Sequence, residues 1–418
     1  MSENLKPRQS AVRILARVLA DGLTVDKAID MEQVYPTYSE SDQHFIRLLV
    51  LTTLRRLGQI DGVLKHLLDR PLPGKQKTVL MILRLAIAQF LFLKTPGYAV
   101  VHTAVSLTRR FHLDGLAGFV NGVLRHLGRL SNPLQGLENP DINLPDWLYQ
   151  SWIRTYGVQT SQKMAEAVMA QPPLDITAPQ DGEQWAQKWQ GQILPTGSIR
   201  VPVSSPTSLP DFDVSGCWVQ NAAASVPAQL LTNPMGKKIA DLCAAPGGKT
   251  SQLAVQGAWV TAFDISENRL KRLRANMERL GVLNRVQIVV ADALKIPSDS
   301  PFDAVLLDAP CSATGTLARH PEIKYHRTQE DVTRLAELQK QLLNKALDLV
   351  PAGGEVVFST CSLQTEEGPD VINSVLDRAD IIVPSDMRWK PYLTEQGSLR
   401  FLPTDGFDGF FACLLRKK

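Results

Sequence analysis

The 418-residue sequence predicts an all-α bundle over residues 1–140, a linker with a small α/β element over 141–215, and a Rossmann-like α/β domain with a largely parallel sheet over 216–418. Three observations predict it. In the amino-terminal part, apolar residues recur at helical spacing, so each segment carries one apolar face. From residue 217 onward, short apolar runs alternate with helical stretches, the pattern of strands buried on both faces and joined by crossover helices. The length also exceeds what one typical core covers, which calls for two or three domains.

The elements follow in order. Val12-Ile14-Leu15-Val18-Leu19, Phe45-Ile46-Leu48-Leu49 and Val79-Leu80-Ile82-Leu83-Leu85-Ile87 are helix faces. Gly58, Pro71-Leu-Pro-Gly74 and Thr95-Pro-Gly97 separate the helices, and Ser39 with Asp42 three residues on reads as a capping start. Residues 131–145, with two Asn-Pro steps and one Leu-Pro step, form a linker. Helical spacing returns over 146–170, and the proline-rich stretch 172–215 with short apolar runs is the small α/β element. Ile239–Leu242, Trp259–Phe263, Val286–Val290, Ala304–Leu307, Glu355–Phe358 and Phe410–Leu415 are the expected strands.

Composition excludes several classes. Hydrophobic content of 44% and charged content of 21% are those of an ordinary globular protein. No 18-residue apolar run exists and Met1-Ser-Glu-Asn-Leu-Lys lacks a signal h-region, so a cytoplasmic protein without a membrane partner is expected. Five widely spaced cysteines with no C-x-x-C pair argue against both a disulfide framework and a metal site. Residues 1–145 hold 18 Lys and Arg against 12 Asp and Glu, whereas 146–418 hold 27 against 30. The basic excess suits an RNA-facing module, although a solvated helical surface accounts for the charge equally well.

Chemistry concentrates where strands end. Asp241-Leu-Cys-Ala-Ala-Pro-Gly-Gly-Lys-Thr250 leaves the first strand of the sheet, and Asp264, Asp292 and Asp308 close the next three. Ligands of open α/β sheets sit beyond these carboxyl ends. Gly248-Lys249-Thr250 matches the end of a P-loop, but Cys243 stands where the first glycine belongs and Pro246 removes a phosphate-binding N–H. Asp264, 23 positions after Asp241, instead suits a ribose diol. S-adenosylmethionine fits, its sulfonium and ammonium welcoming Asp241, Asp264 and Asp308. The expected cofactor residues are Cys243, Ala244, Ala245, Pro246, Gly247, Gly248, Lys249, Asp264, Arg269, Asp292 and Asp308.

Of the five cysteines, Cys217 and Cys413 read as small core hydrophobes and Cys243 as a loop or cofactor-wall residue. Cys311 and Cys361 each follow a strand in a polar, serine-flanked turn. A thiolate added to C6 of a pyrimidine makes C5 nucleophilic toward a sulfonium methyl, and a second group then assists removal of the C5 proton and release of the thiol. Asp308 is placed to meet the cytosine N3 edge, and Lys249 to bind the base or lower a thiol pKa.

Asp308-Ala-Pro-Cys-Ser-Ala-Thr-Gly-Thr316, Arg319-His-Pro-Glu-Ile-Lys324 and Ser359-Thr-Cys-Ser362 resemble the RNA (cytosine-C5) methyltransferases, and among them the bacterial 16S rRNA enzymes of the Fmu/Sun type. Tyr98-Ala-Val-Val-His-Thr-Ala-Val-Ser106 with Phe119-Val-Asn-Gly-Val-Leu-Arg125 is similar to their NusB-like helical domain. The resemblance implies a seven-stranded class I methyltransferase sheet with an antiparallel strand near Phe410–Leu415. It also implies S-adenosylmethionine as methyl donor, Cys361 as nucleophile, Cys311 as the residue assisting product release, and cytosine 967 as target.

Three departures from the family pattern stand out: Gly368-Pro369 after Glu366-Glu367, Asn221 where an aspartate is usual, and Ala291 before Asp292. RNA contacts are expected from Arg319, His320, Lys324 and Arg327 beside the pocket, and from Arg109, Arg110, Arg125 and Arg129 in the helical domain. The partner is 16S rRNA, naked or early in assembly, and the protein is expected to be a monomer. Competing readings are a non-enzymatic RNA-binding factor and a nucleotide hydrolase using Lys249-Thr250.

Overall fold

A computed structural model describes residues 5–299 and 301–418; Met1–Asn4, part of the stretch read for a signal segment, and Ser300 lie outside the described residues. The chain forms two compact units. One comprises the residues up to Gln171 together with Leu317–Arg327, the other Pro172–Thr316 and Thr328–Lys418. No helix among the described residues is long and apolar enough to cross a membrane.

The first unit is helical, and its helices continue past residue 140 through Asp146–Tyr156 and Val158–Ala167. Helix Leu5–Asp21 packs on Glu40–Arg55, Lys77–Leu91 and Gly97–Arg110. The apolar positions picked out by periodicity, Ile14, Leu15, Ile46, Leu49, Ile82 and Leu83 among them, are fully buried in one core. Ser39 caps its helix as expected, its Oγ accepting from Asp42 N at 3.2 Å.

The surprise of this unit is the distant segment Leu317–Arg327. Tyr325 packs on the helical core and its hydroxyl donates to Leu54 O at 2.8 Å. Arg55 Nε donates to Ala318 O at 2.8 Å, and Val25 N donates to the buried Glu322 Oε1 at 3.2 Å. These groups answer backbone donors and acceptors that would otherwise be buried unpaired.

The second unit carries two sheets. Strands β1 (Leu174–Thr177), β2 (Gln192–Ile193), β3 (Ile199–Val201) and β4 (Trp218–Val219) form a small antiparallel sheet in the order β2-β3-β1-β4. The main sheet holds β5 (Lys238–Leu242), β6 (Trp259–Asp264), β7 (Val286–Val290), β8 (Ala304–Asp308), β9 (Glu355–Thr360), β10 (Ala379–Ile381), β11 (Leu399–Phe401) and β12 (Phe410–Lys417). Its order is β10-β12-β9-β8-β5-β6-β7, with β5 to β9 parallel and β12 antiparallel to β9. The resemblance implied seven strands; the eighth arises because β11 shares one edge of β12 with β10, pairing at Phe410–Ala412 while β10 pairs at Leu415–Lys417.

Strand alternation divides the core. Ala240, Leu242, Val305, Leu307, Val356 and Phe358 face one side, and Ile239, Ala304, Leu306, Val357, Ala412 and Leu414 the other. Both faces are buried, which is why these strands read as continuous apolar runs. Phe358 is fully buried and meets Phe411 edge-on, with ring centroids 6.3 Å apart. Phe358→Ala is expected to cost about 3–5 kcal/mol, seen as a lower denaturant midpoint for the α/β unit.

Candidate active site

Chain order reverses between β5 and β8, so a crevice opens beyond their carboxyl ends. The loop after β5 shapes its floor. Gly247 adopts φ +104°, and a Cβ there would lie 2.8 Å from Leu273 Cγ, so both backbone and space require glycine. Asn276 Nδ2 donates to Pro246 O at 3.0 Å, and Arg269 donates to Ala245 O. A cavity of about 470 Å³ borders Asp241, Ala244, Ala245, Pro246, Gly248, Lys249 and Asp308.

The acids take distinct positions. Asp264 is buried; its Oδ2 accepts from Ala245 N at 3.2 Å and lies 3.2 Å from Arg269 Nη1, while Oδ1 accepts from Ser266 N at 2.9 Å. It therefore fixes the loop. Asp292 caps a short turn through Leu294 N at 3.1 Å. Asp241 accepts from Thr250 Oγ1 at 2.5 Å on one oxygen, and its other oxygen is buried without a hydrogen-bond partner. An orphaned buried acceptor at the cavity edge suits a cationic group of S-adenosylmethionine, which Asp241 and Asp308, both bordering the cavity, would hold.

Burial pushes the Asp241 carboxyl up to about 7, against the hydrogen bond from Thr250 and the nearby Lys249 cation. The unfolded chain ionises this group at its ordinary, lower pKa, so the folded state holds the extra proton in between and stability falls as pH rises through that window. Asp241→Asn is expected to flatten the fall: its melting temperature should gain on the unsubstituted protein between pH 5 and pH 8. Scanning calorimetry without cofactor checks this.

The rival phosphate reading loses its parts here. Thr250 is fully buried with its hydroxyl given to Asp241, and Lys249 Nζ donates to Asp308 Oδ2 at 2.6 Å. Neither group is left for a nucleotide phosphate or its metal ion. Among the described residues no cluster of His, Cys, Asp or Glu suits a metal ion.

Cys311 and Cys361 converge because β8 and β9 are parallel neighbours, Asp308 lying opposite Ser359 in register. Their sulfurs are 3.3 Å apart, and all five cysteines are free thiols. Asp308 completes the group: Oδ1 accepts from Ser359 Oγ at 2.9 Å while Oδ2 holds Lys249, whose Nζ also sits 5.4 Å from the Phe410 ring centroid. Lys249 was expected to serve a thiol or the base; its ammonium is committed to Asp308. The hydrogen bond with Cys361, then burial, pushes the Cys311 thiol well up. Cys243, held at φ +61°, is pushed by burial up to about 12, and Cys413 likewise, so neither is poised as a thiolate nucleophile. Cys217 is buried in the small sheet's core.

Gln220 escaped sequence reading, and the structure gives two of the departures their places. Gln220 Nε2 donates to Gln252 Oε1 at 2.9 Å, and its Oε1 accepts from Trp218 and Thr177, tying the small sheet to the cofactor-loop helix. Asn221 Oδ1 caps Ala223 N at 3.0 Å and Ala224 N at 3.2 Å, a task in which the amide replaces the usual carboxylate. Pro369 opens helix Pro369–Asn373 at its first position, where no N–H is needed.

The expected RNA contacts divide. Arg109, Arg110, Arg125 and Arg129 are exposed on the helical unit, Arg110 Nε donating to Gln9 Oε1 at 2.6 Å and Arg125 Nε to Asn121 Oδ1 at 3.2 Å. His320 is exposed, and Arg319 and Arg327 are half-buried. Lys324 is a correction. It is buried in the helical unit, its Nζ donates to Arg55 O at 3.0 Å, and burial beside Arg55 and Arg56 pushes its pKa well down. Its long stem fills the unit and its head answers a helix carbonyl, so it presents no charge to RNA.

Comparison with known proteins adds an independent line. Residues 228–416 match the 16S rRNA methyltransferase RsmB/F family, and residues 5–129 match the NusB family. Ribosomal RNA small subunit methyltransferase B of Proteus mirabilis (strain HI4320) is 30% identical over 439 aligned positions, covering 100% of both chains. The protein of the same name from Serratia proteamaculans (strain 568) is 32% identical, again covering 100% of both. The crystal structure of PH0851 superposes with TM-score 0.77 at 24% identity, over 98% of this chain and 99% of that one. A methyltransferase homolog protein from Pyrococcus horikoshii, 29% identical, covers 66% of this chain and 100% of its own with TM-score 0.54.

Proposed function

Because the chain belongs to the ribosomal RNA small subunit methyltransferase B family, it is an S-adenosylmethionine-dependent rRNA methyltransferase, and we propose that it methylates C5 of one cytosine of 16S rRNA through a covalent Cys361 adduct. The base proposed, following the resemblance, is cytosine 967. One observation carries the chemistry: two free thiols 3.3 Å apart at the ends of adjacent strands, beside an aspartate–lysine pair bordering the cofactor cavity.

S-adenosylmethionine supplies an electrophilic methyl group. Cys361 thiolate would add to C6 of the cytosine, its lone pair forming the S–C6 bond and making C5 nucleophilic toward that methyl, whose carbon–sulfur bond would break with its electron pair left on the departing S-adenosylhomocysteine sulfur. Asp308 meets the N3 edge, and the Lys249 cation beside it offsets charge that develops on the ring. Cys311 assists the last step, in which C5 gives its proton to solvent, the C–H electron pair re-forms C5=C6 and the Cys361 thiolate leaves with the S–C6 pair. The exposed arginines of the helical unit hold the RNA backbone while the target base is extruded.

Labelled methyl transfer to unmodified 16S rRNA, followed by nucleoside mass spectrometry, tests the reading. The expected product is 5-methylcytidine at one site. No transfer to the RNA, naked or in an assembled subunit, would overturn the substrate assignment and favour a binding factor without catalysis.

A further inference from the structure

Glu367 lies behind both thiols and has no part in the chemistry above. It is fully buried, yet its carboxylate is the node of a network. Oε1 accepts from Ser312 N at 2.7 Å and from Gln339 Nε2 at 3.1 Å; Oε2 accepts from Ser362 Oγ at 2.6 Å and from Ser312 Oγ. The backbone carbonyl of Glu367 accepts from Thr360 Oγ1 at 3.0 Å, and Gln339 Nε2 also donates to Pro310 O at 2.9 Å. The residues before and after each cysteine are thus tied to Glu367, by its side chain or backbone, or to its partner Gln339.

Nothing about stability requires a carboxylate here. A buried charge without a cation is costly, and among the described residues Glu367 forms no ion pair with lysine or arginine. Arg400 Nη1 donates to Ser362 O. Neighbouring Glu366 takes a hydrogen bond from Gln329. Helix Gln329–Asp348 presents the neutral Gln339 to the carboxylate, so the charged or titratable groups that face Cys311 are Cys361 and Glu367.

We propose that Glu367 is a positioning residue that locks the two cysteine turns in register, with its negative charge set beside Cys311, so that Cys361 rather than Cys311 begins the reaction. Geometry and charge act together. Ser312 and Ser362 each hand a hydroxyl proton to the carboxylate, which fixes the turns that aim Cys311 and Cys361. After the hydrogen bond with Cys361 and burial, the Glu367 charge is a further influence raising the Cys311 pKa. Burial in turn raises the Glu367 pKa, while its four hydrogen bonds favour the ionised form.

The proposal rests on the covalent reading of the pair, and its test separates the two. In Glu367→Gln, the pH midpoint for iodoacetamide alkylation of Cys311, read by peptide mass spectrometry, should fall by about one unit. Single-turnover methyl transfer should fall by about 10- to 100-fold with S-adenosylmethionine affinity unchanged. Glu367→Asp keeps the charge but shortens the reach, so it should restore the Cys311 midpoint more fully than the transfer rate. A folded Glu367→Gln protein in which either the midpoint or the transfer rate is unmoved overturns the proposal. Should that variant fail to fold, Ser312→Ala and Ser362→Ala each remove one hydrogen bond from the node but leave its charge, so the transfer rate should fall while the Cys311 midpoint holds; an unmoved rate in both overturns the proposal. If Cys361→Ala stays active, the covalent reading falls, while the Cys311 midpoint still decides the role of Glu367.

Discussion

Cys361→Ala is expected to lower methyl transfer by about 10⁴-fold or more, the scale on which an enzyme loses rate with its covalent nucleophile. Cys311→Ala should behave differently. With Cys361 intact the adduct still forms, but its release is slowed, so an RNA–protein complex resistant to denaturation should accumulate and be visible by gel electrophoresis. Cys361→Ala should form none. The 3.3 Å separation makes the comparison sharp, because either substitution leaves the opposite turn anchored by its own serine. The reverse pattern would exchange the two roles, and full activity in Cys361→Ala would end the covalent reading.

The parts of this site that sequence disclosed share a physical cause. Strands buried on both faces must be nearly uninterrupted runs of apolar residues, so β5, β6, β8 and β9 announced themselves, and with them the places where polar residues could meet a ligand. Asp264, Asp308, Cys311 and Cys361 stand at those ends. Side-chain pairing across the fold leaves no such periodic trace. Glu367 follows Glu366 as one acid after another, and only the fold brings Ser312, 55 residues earlier, to its carboxylate. Lys324 misled for a related reason. A lysine in a polar motif reads as surface charge, whereas its burial depends on Arg55 and the helix end that this segment covers, 269 residues away in sequence. The helical periodicity of 146–170 was visible, but not that those helices, and residues 317–327, join the bundle, because unit membership depends on tertiary contacts.

Asp308 and Lys249 are expected to act as one element. Asp308→Asn keeps the shape of the side chain and removes the charge that holds Lys249 Nζ at 2.6 Å, and transfer should fall by about 10²- to 10³-fold, as when a preorganised electrostatic group is lost. Lys249→Met should cost less, because Ser359 Oγ still orients the Asp308 carboxylate from 2.9 Å. The double substitution decides whether they are coupled. If Lys249 works only through Asp308, the combined loss matches that of Asp308→Asn alone; if the ammonium also acts on the base independently, the two losses multiply. Single-turnover rates at saturating S-adenosylmethionine, with its affinity measured separately, distinguish transfer from cofactor binding. That separation matters because Asp308 borders the cofactor cavity while standing three residues before Cys311, so its loss reaches both the cavity and the thiol pair.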